Sequence, residues 1–291
     1  MKEIRGVLTA MATPFDEGGA VDEAAALRLA TYLLENGSHG LVISGTTGEA
    51  PTLTDEEALI LLRAVRREVG DDVLLICGTG TNYTQHSIEL TRGAIEAGAD
   101  AALIVTPYYN KPNPAGVYAH FEAIAAAVPG CPLIAYNIPS RVVVNVPPEQ
   151  LAEIAKIENV VAVKQANNED LQPIEGLDVL AGNDDIFLRT LEIGGAGGIC
   201  VASHLVGPQM RQVWDLAQAG DLERAREVEA TLREVYAAMG VTTNPIPVKA
   251  ALEMMGLIPT GTLRLPMVPA DAEQRATVRA ALENVGLSVT A

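Results

Sequence analysis

A lysine at the end of an apolar run is where this sequence most plainly offers chemistry. Lys164 closes Val160-Val161-Ala162-Val163, a stretch that reads as a buried strand. Apolar walls disfavour an ammonium and lower its pKa, and an amine that is neutral part of the time attacks a carbonyl. Taken alone, Lys164 could equally be a strand-end lysine whose stem runs out to solvent. Its company argues for more. Thr46 and Thr47 stand in Gly45-Thr46-Thr47-Gly48-Glu49, Tyr108 and Tyr109 in TPYYNKP, and Tyr136 and Arg141 in YNIPSR. Hydroxyls of Thr and Tyr can deliver and remove the protons that imine formation needs. The glycines beside Thr46 and Thr47 let backbone N–H groups approach an anion closely. Arg141 can grip a carboxylate through two parallel hydrogen bonds. Each also has a plainer reading: Tyr136 a core tyrosine, the threonines a turn, Arg141 a surface arginine. Together they describe an anionic keto-acid held on an amine.

Such residues act together only if the fold brings the ends of separate runs to one place. Val/Ile-rich stretches fall at 6–10, 41–44, 73–77, 101–106, 132–137, 160–164, 179–182 and 198–201. Amphipathic patterns lie between them, at 22–36, 55–69, 84–97, 116–128 and 148–156. Thr54 followed by Glu57 is a capping-box pattern, and Asn36-Gly37 and Gly70 mark helix ends. Eight strand–helix alternations imply right-handed parallel crossovers closing into a barrel. The sequence therefore predicts an α/β fold, a (β/α)8 TIM barrel over 1–220 with a C-terminal helical extension over 221–291. Helices are expected at 208–219, 222–239, 247–255 and 270–285, the first completing the barrel. Sites in such barrels lie at the C-terminal ends of the strands, which is where the residues above fall.

Composition narrows the function. The 291 residues are 48% hydrophobic with only 3 Phe and 1 Trp, a mix that suits parallel strands covered on both faces. A formal net charge of −17 argues against a nucleic-acid surface, which needs a basic patch. Cys77, Cys131 and Cys200 are far apart and odd in number, which speaks against a disulfide framework. The first residues lack a signal-peptide layout, and no apolar run is long enough to span a bilayer. A cytoplasmic protein is the expectation. His39, His86, His120 and His204 are scattered without metal-ligand spacing, and no GxGxxG follows the first strand. The glycine run GGAGG is expected to let backbone approach a ligand.

The stretches GTTGEAPTLT, GTGTN, TPYYNKP, YNIPSR, VVAVKQAN, AGNDD, GGAGGI and NPIPVKAAL occur in order over nearly the whole chain. The sequence resembles the dihydrodipicolinate synthase / N-acetylneuraminate lyase family. The resemblance implies that Lys164 forms a Schiff base with pyruvate and that Tyr136 shuttles protons beside it. It implies that Thr46 links Tyr136 to Tyr109, which reaches across a tight dimer interface into the neighbouring subunit's site. Thr47, with the Thr46 backbone, would hold the pyruvate carboxylate, and Arg141 that of L-aspartate 4-semialdehyde. Gly182 and Ile199 would line the pocket with backbone groups. No cofactor or metal is implied beyond the imine on Lys164, and the assembly implied is a homodimer or homotetramer.

Within the family, the Arg141 position and the GTTGE form favour the synthase branch, which serves lysine and diaminopimelate biosynthesis. The alternatives are an aldolase acting on a sugar acid and, from a different class, a non-catalytic keto-acid binder. Val142 stands where many synthases carry Thr. The lysine-feedback positions correspond to Ala50, Asp55, Ala58, Asn82, His86 and Tyr108. His86 replaces a glutamate of sensitive relatives, and Asp55 and Ala58 stand where histidines are common. Weak or absent inhibition by lysine is the expectation.

Overall fold

The computed structural model describes residues 2–289. Eight parallel strands close on themselves in chain order: β1 Gly6–Ala10, β2 Gly40–Ile43, β3 Leu74–Gly78, β4 Ala101–Val105, β5 Leu133–Asn137, β6 Val160–Gln165, β7 Asp178–Ala181 and β8 Gly197–Cys200. β1 seals the barrel, Leu8 lying opposite Gly40 of β2 on one side and Ile199 of β8 on the other. The outer ring holds α1 Glu23–Glu35, α2 Asp55–Val69, α3 Thr84–Glu96, α4 Pro114–Ala127, α5 Pro139–Val142, α6 Pro148–Ile154, α7 Phe187–Glu192 and α8 Ser203–Gln218. After it come α9 Leu222–Ala230, α10 Arg233–Met239, α11 Ile246–Met254 and α12 Ala272–Asn284. The fold is a TIM barrel with C-terminal helices, as the alternation of patterns predicted.

Two apolar layers result from the period of two along each strand. Leu8, Val42, Ile76, Leu103, Ile134, Ala162, Leu180 and Ile199 fill the interior. Their neighbours Val7, Leu41, Leu75, Ile104, Ala135 and Val163 face the helices. Helix ends follow local chemistry. Thr54 accepts from the Glu57 N–H while the Glu57 carboxylate accepts from the Thr54 N–H, closing the capping box of α2.

One expectation needs correction. The single helix predicted over 222–239 is two, α9 and α10. The Thr231 hydroxyl donates to the Val228 carbonyl at 2.7 Å and the Leu232 N–H to the Glu229 carbonyl at 3.0 Å, tight turns that break the helical ladder. The helix predicted from 208 is preceded by a short helical turn from Ser203, set off from it by non-helical backbone at Val206; Pro208 stands in the first turn of the helix that follows, where a missing N–H is tolerated. Close packing also calls for glycine in the run that leads into and opens β8. A Cβ on Gly197 would lie 2.1 Å from the Gly6 carbonyl oxygen, and one on Gly195 2.5 Å from Thr190.

Candidate active site

The register of two strands makes the centre of the site. Tyr136 of β5 lies directly opposite Lys164 of β6, and both continue the inward-facing sets begun by Ile134 and Ala162. Lys164 is 5% exposed and Tyr136 4%. The Lys164 ammonium sits 4.3 Å from the centroid of the Tyr136 ring, so a cation–π contact helps hold it where water is scarce. Above them opens a cavity of about 840 Å³, whose wall includes Thr46, Thr47, Arg141 and Gly182.

The loop after β2 is built to present unsatisfied N–H groups. Its carbonyls are used internally: Gly45 accepts from the Ala50 N–H at 3.2 Å and Thr46 from the Glu49 N–H at 3.1 Å. Among the described residues, the N–H groups of Thr46 and Thr47 find no protein acceptor, an arrangement suited to a small anion. The Thr47 hydroxyl accepts from the Asn244 side chain at 3.0 Å, which leaves its own proton free to donate into the cavity. Gly182 must be glycine for close packing, since a Cβ there would lie 2.7 Å from both Ala166 Cβ and the Gln165 carbonyl oxygen.

Backbone strain is gathered on this face. The five non-glycine residues with positive φ among those described are Ser44, Glu49, Tyr109, Lys111 and Val143. All lie in loops following β2, β4 and β5. Each such residue costs on the order of 1–3 kcal/mol and persists only where the surroundings impose it, so the rest of the barrel sustains an unfavourable conformation at the site.

Of the residues singled out from sequence, Lys164, Tyr136, Thr46, Thr47, Arg141 and Gly182 meet around one cavity. Ile199 does not reach its wall; its side chain is fully buried inside the barrel. Tyr109 stands apart as well, 88% exposed, and no hydrogen bond joins the hydroxyls of Thr46, Tyr136 and Tyr109 among the described residues. Arg141 is exposed, and one of its N–H groups donates to the Asn244 carbonyl at 3.0 Å.

Sequence reasoning missed what the C-terminal extension contributes. Asn244 joins Thr47 and Arg141, and Glu229 and Tyr236 enter the cavity wall from α9 and α10 beside Asp184. Burial holds the Glu229 carboxyl up at about 7, although the Tyr236 hydroxyl donates to it at 3.1 Å. Burial likewise raises Asp184, against the N–H groups of Val201 and Ala202 and the charge of Lys164. Tyr236 and Cys200 are raised first by burial, then by neighbouring carboxylates. The motifs NPIPVKAAL and AGNDD flagged Asn244 and Asp184 without giving them roles; nothing local marked Glu229 or Tyr236.

An amine deep in a barrel mouth, with a phenol against it and a free N–H cradle opposite, defines a class: a barrel equipped to hold a small carbonyl acid at a lysine. The Dihydrodipicolinate synthetase family model matches residues 3–285. The chain belongs to that family. It is 46% identical over 288 residues to the 4-hydroxy-tetrahydrodipicolinate synthase of Synechococcus elongatus, covering 97% of this chain and 96% of that one. The dihydrodipicolinate synthase of Acinetobacter baumannii, described as chloride inhibited and solved with pyruvate, superposes with a TM-score of 0.94 at 37% identity, covering 98% of this chain and all of the other. That of Cyanidioschyzon merolae, solved with lysine bound, gives 0.93 at 37% identity, covering 98% of this chain and all of the other.

Proposed function

We propose that this protein is a lyase that holds pyruvate as a Schiff base on Lys164 and condenses it with L-aspartate 4-semialdehyde, forming 4-hydroxy-tetrahydrodipicolinate for diaminopimelate and lysine biosynthesis. The observation that carries the reading is the pairing of Lys164 with Tyr136 under the Thr46–Thr47 cradle, in a chain that matches the family from residue 3 to 285. The Lys164 amine adds to the keto carbon of pyruvate and water leaves, giving the imine. Tyr136 takes part in the proton transfers. Loss of a methyl proton gives the enamine, whose carbon attacks the aldehyde; the aldehyde oxygen gains a proton. The product's own amine then displaces Lys164 and closes the ring. Thr47 and the backbone N–H groups beside it hold the pyruvate carboxylate, and Arg141 that of the semialdehyde. Gly182 and Ile199 contribute backbone groups at or behind the wall.

The imine on Lys164 supplies the electron sink, so this chemistry calls on no metal or dissociable cofactor. Tyr109, displayed on the surface, completes the relay through Thr46 in a second subunit of a homodimer or homotetramer. The division proposed is a barrel over 1–220 and an extension over 221–291 that finishes the site wall, residues 1, 290 and 291 lying outside those described. No described helix is long and apolar enough to cross a membrane, and a cytoplasmic enzyme of small-molecule metabolism with no nucleic-acid or membrane partner is the setting proposed.

Pyruvate consumption with aspartate semialdehyde, beside N-acetylmannosamine and a short sugar aldehyde, tests the substrate. Preference for the semialdehyde supports the synthase; preference for a sugar moves the protein to the aldolase branch. Borohydride with pyruvate tests the imine. No added mass on Lys164 would leave only a keto-acid binder.

A further inference from the structure

The cavity of about 840 Å³ extends from Lys164 to residues of α7, α9 and α10, and its wall differs in charge from the rest of the molecule. The chain carries 20 Lys and Arg against 37 Asp and Glu. Five cations nevertheless line this one cavity: Lys164 at its buried end, Arg141 from α5, and Arg189, Arg226 and Arg233 from α7, α9 and α10. All four arginines are exposed, whereas Lys164 is buried. Arg226 is tied to Glu192 at 2.6 Å. The guanidinium groups of Arg189 and Arg233 make no hydrogen bond or ion pair among the described residues, Arg233 acting on Glu229 only through space.

Four carboxylates face them: Asp184, Asp185, Glu192 and Glu229. Glu192 is the partner of Arg226, and Asp185 accepts from the Asn168 side chain at 3.0 Å. Burial pushes both Asp184 and Glu229 towards their neutral forms. With five cations against four carboxylates in its wall, the cavity has a small positive balance in a strongly negative molecule. A walled cleft of one sign concentrates ions of the other, because low-dielectric walls focus the field along the opening.

We infer that the outer half of the cavity, formed by Arg189, Arg226 and Arg233 on the helices flanking and following the barrel, is a collecting vestibule for small carboxylates on their way to Lys164. The inference rests on the keto-acid reading above and adds to it a route. Without such a path, a chain of net charge −17 repels the anions it is proposed to use. Free guanidinium groups attract without binding tightly, since each exposed carboxylate pair gains little in water, so a carboxylate passes inward to the N–H cradle and does not stall.

The test is the rate at which borohydride traps pyruvate on the protein at sub-saturating pyruvate, below and above physiological ionic strength, where the Debye length is about 8 Å. Arg189→Gln with Arg233→Gln should lower the trapping rate about three- to tenfold at low salt, with the two proteins converging at high salt. Arg189→Lys with Arg233→Lys, which keeps the charges, should restore most of the rate. Methyl pyruvate, which is neutral, should be trapped alike by all three. Equal pyruvate rates in the Gln variant and the parent at low salt overturn the vestibule, as does an equal fall for pyruvate and methyl pyruvate, which marks a structural fault. If the parent protein gains no pyruvate adduct at all, the Schiff-base reading falls and the vestibule with it.

Discussion

Lys249 and Glu49 offer the sharpest test of how the C-terminal helices support the site. Their side chains are 0% and 2% exposed, and Lys249 Nζ lies 2.7 Å from Glu49 Oε1. The other carboxylate oxygen accepts from the Arg264 N–H at 3.1 Å, and the ammonium also rests 4.2 Å from the centroid of the Phe15 ring. Burial holds the Lys249 amine below the usual lysine range, against the opposing pull of Glu49. Glu49, at φ 56, closes the strained loop whose N–H groups face the cavity. Replacing Lys249 with Met keeps the stem and deletes the charge, leaving Glu49 buried with its partner gone. Breaking such a pair from one side costs about 3–5 kcal/mol, a large part of a total stability that is typically about 5–15 kcal/mol. The double variant Glu49→Gln, Lys249→Met removes the stranded charge and should recover part of that loss. Urea unfolding followed by circular dichroism measures both, and the pyruvate KM of the folded Lys249→Met protein should rise as the Thr46–Thr47 loop loosens. A loss below about 1 kcal/mol, or a double variant no more stable than Lys249→Met, would refute the argument.

Three further outcomes follow from the geometry. Tyr109→Phe should leave the barrel folded, because the side chain is 88% exposed, yet lower turnover by about 10²-fold or more, in line with loss of a proton-transfer group; unchanged turnover removes Tyr109 from the relay. Burial holds His39, His120 and His204 down at about 4, so the unfolded chain binds more protons from about pH 6.5 downwards. Stability should fall as pH drops through that window towards 4. His204 is fully buried and accepts from the Ala12 N–H at 3.1 Å, and its share of the loss is about 3 kcal/mol. His204→Gln should therefore flatten the acid limb by about one proton, and an unaltered limb would contradict it. Lysine should inhibit weakly: His86 is held by Asp55 at 2.8 Å at a position where sensitive relatives offer a carboxylate to the ligand amine. Loss of that contact is worth about 1.5–3 kcal/mol; strong inhibition below millimolar lysine would sink the idea.

Much of the barrel was legible because strands and helices announce themselves locally. The strand predicted at 6–10 and the helix at 55–69 have the observed bounds, and the remaining strands begin and end within a residue or so of their predicted places. Lys164 and Tyr136 could be placed for the same reason. A period of two puts them on the inner face with Ala162 and Ile134, and being at strand ends puts them at the mouth. The short helix α7 escaped notice because six residues are too few for a helical period to register.

What stayed hidden depends on contacts that no local pattern encodes. Asn244 meets Thr47 across 197 positions of sequence, and Lys249 meets Glu49 across 200. The break between α9 and α10 places Tyr236 against Glu229, yet nothing in residues 222–239 read alone shows that this face closes a cavity at the far end of β7. These hidden partners all come from the segment after the barrel, Asn244 from the loop between α10 and α11 and the others from its helices, and they act on the site that the barrel itself presents. The strands set where the amine and phenol stand; the extension sets how the threonine loop is held, how Arg141 is oriented and what charge surrounds the opening. A chain with the same strand ends and different helices would keep Lys164 and Tyr136 in place while changing which carboxylates reach them. Selectivity is therefore to be sought in Asn244, Arg189, Arg233 and Glu229 as much as in the barrel motifs.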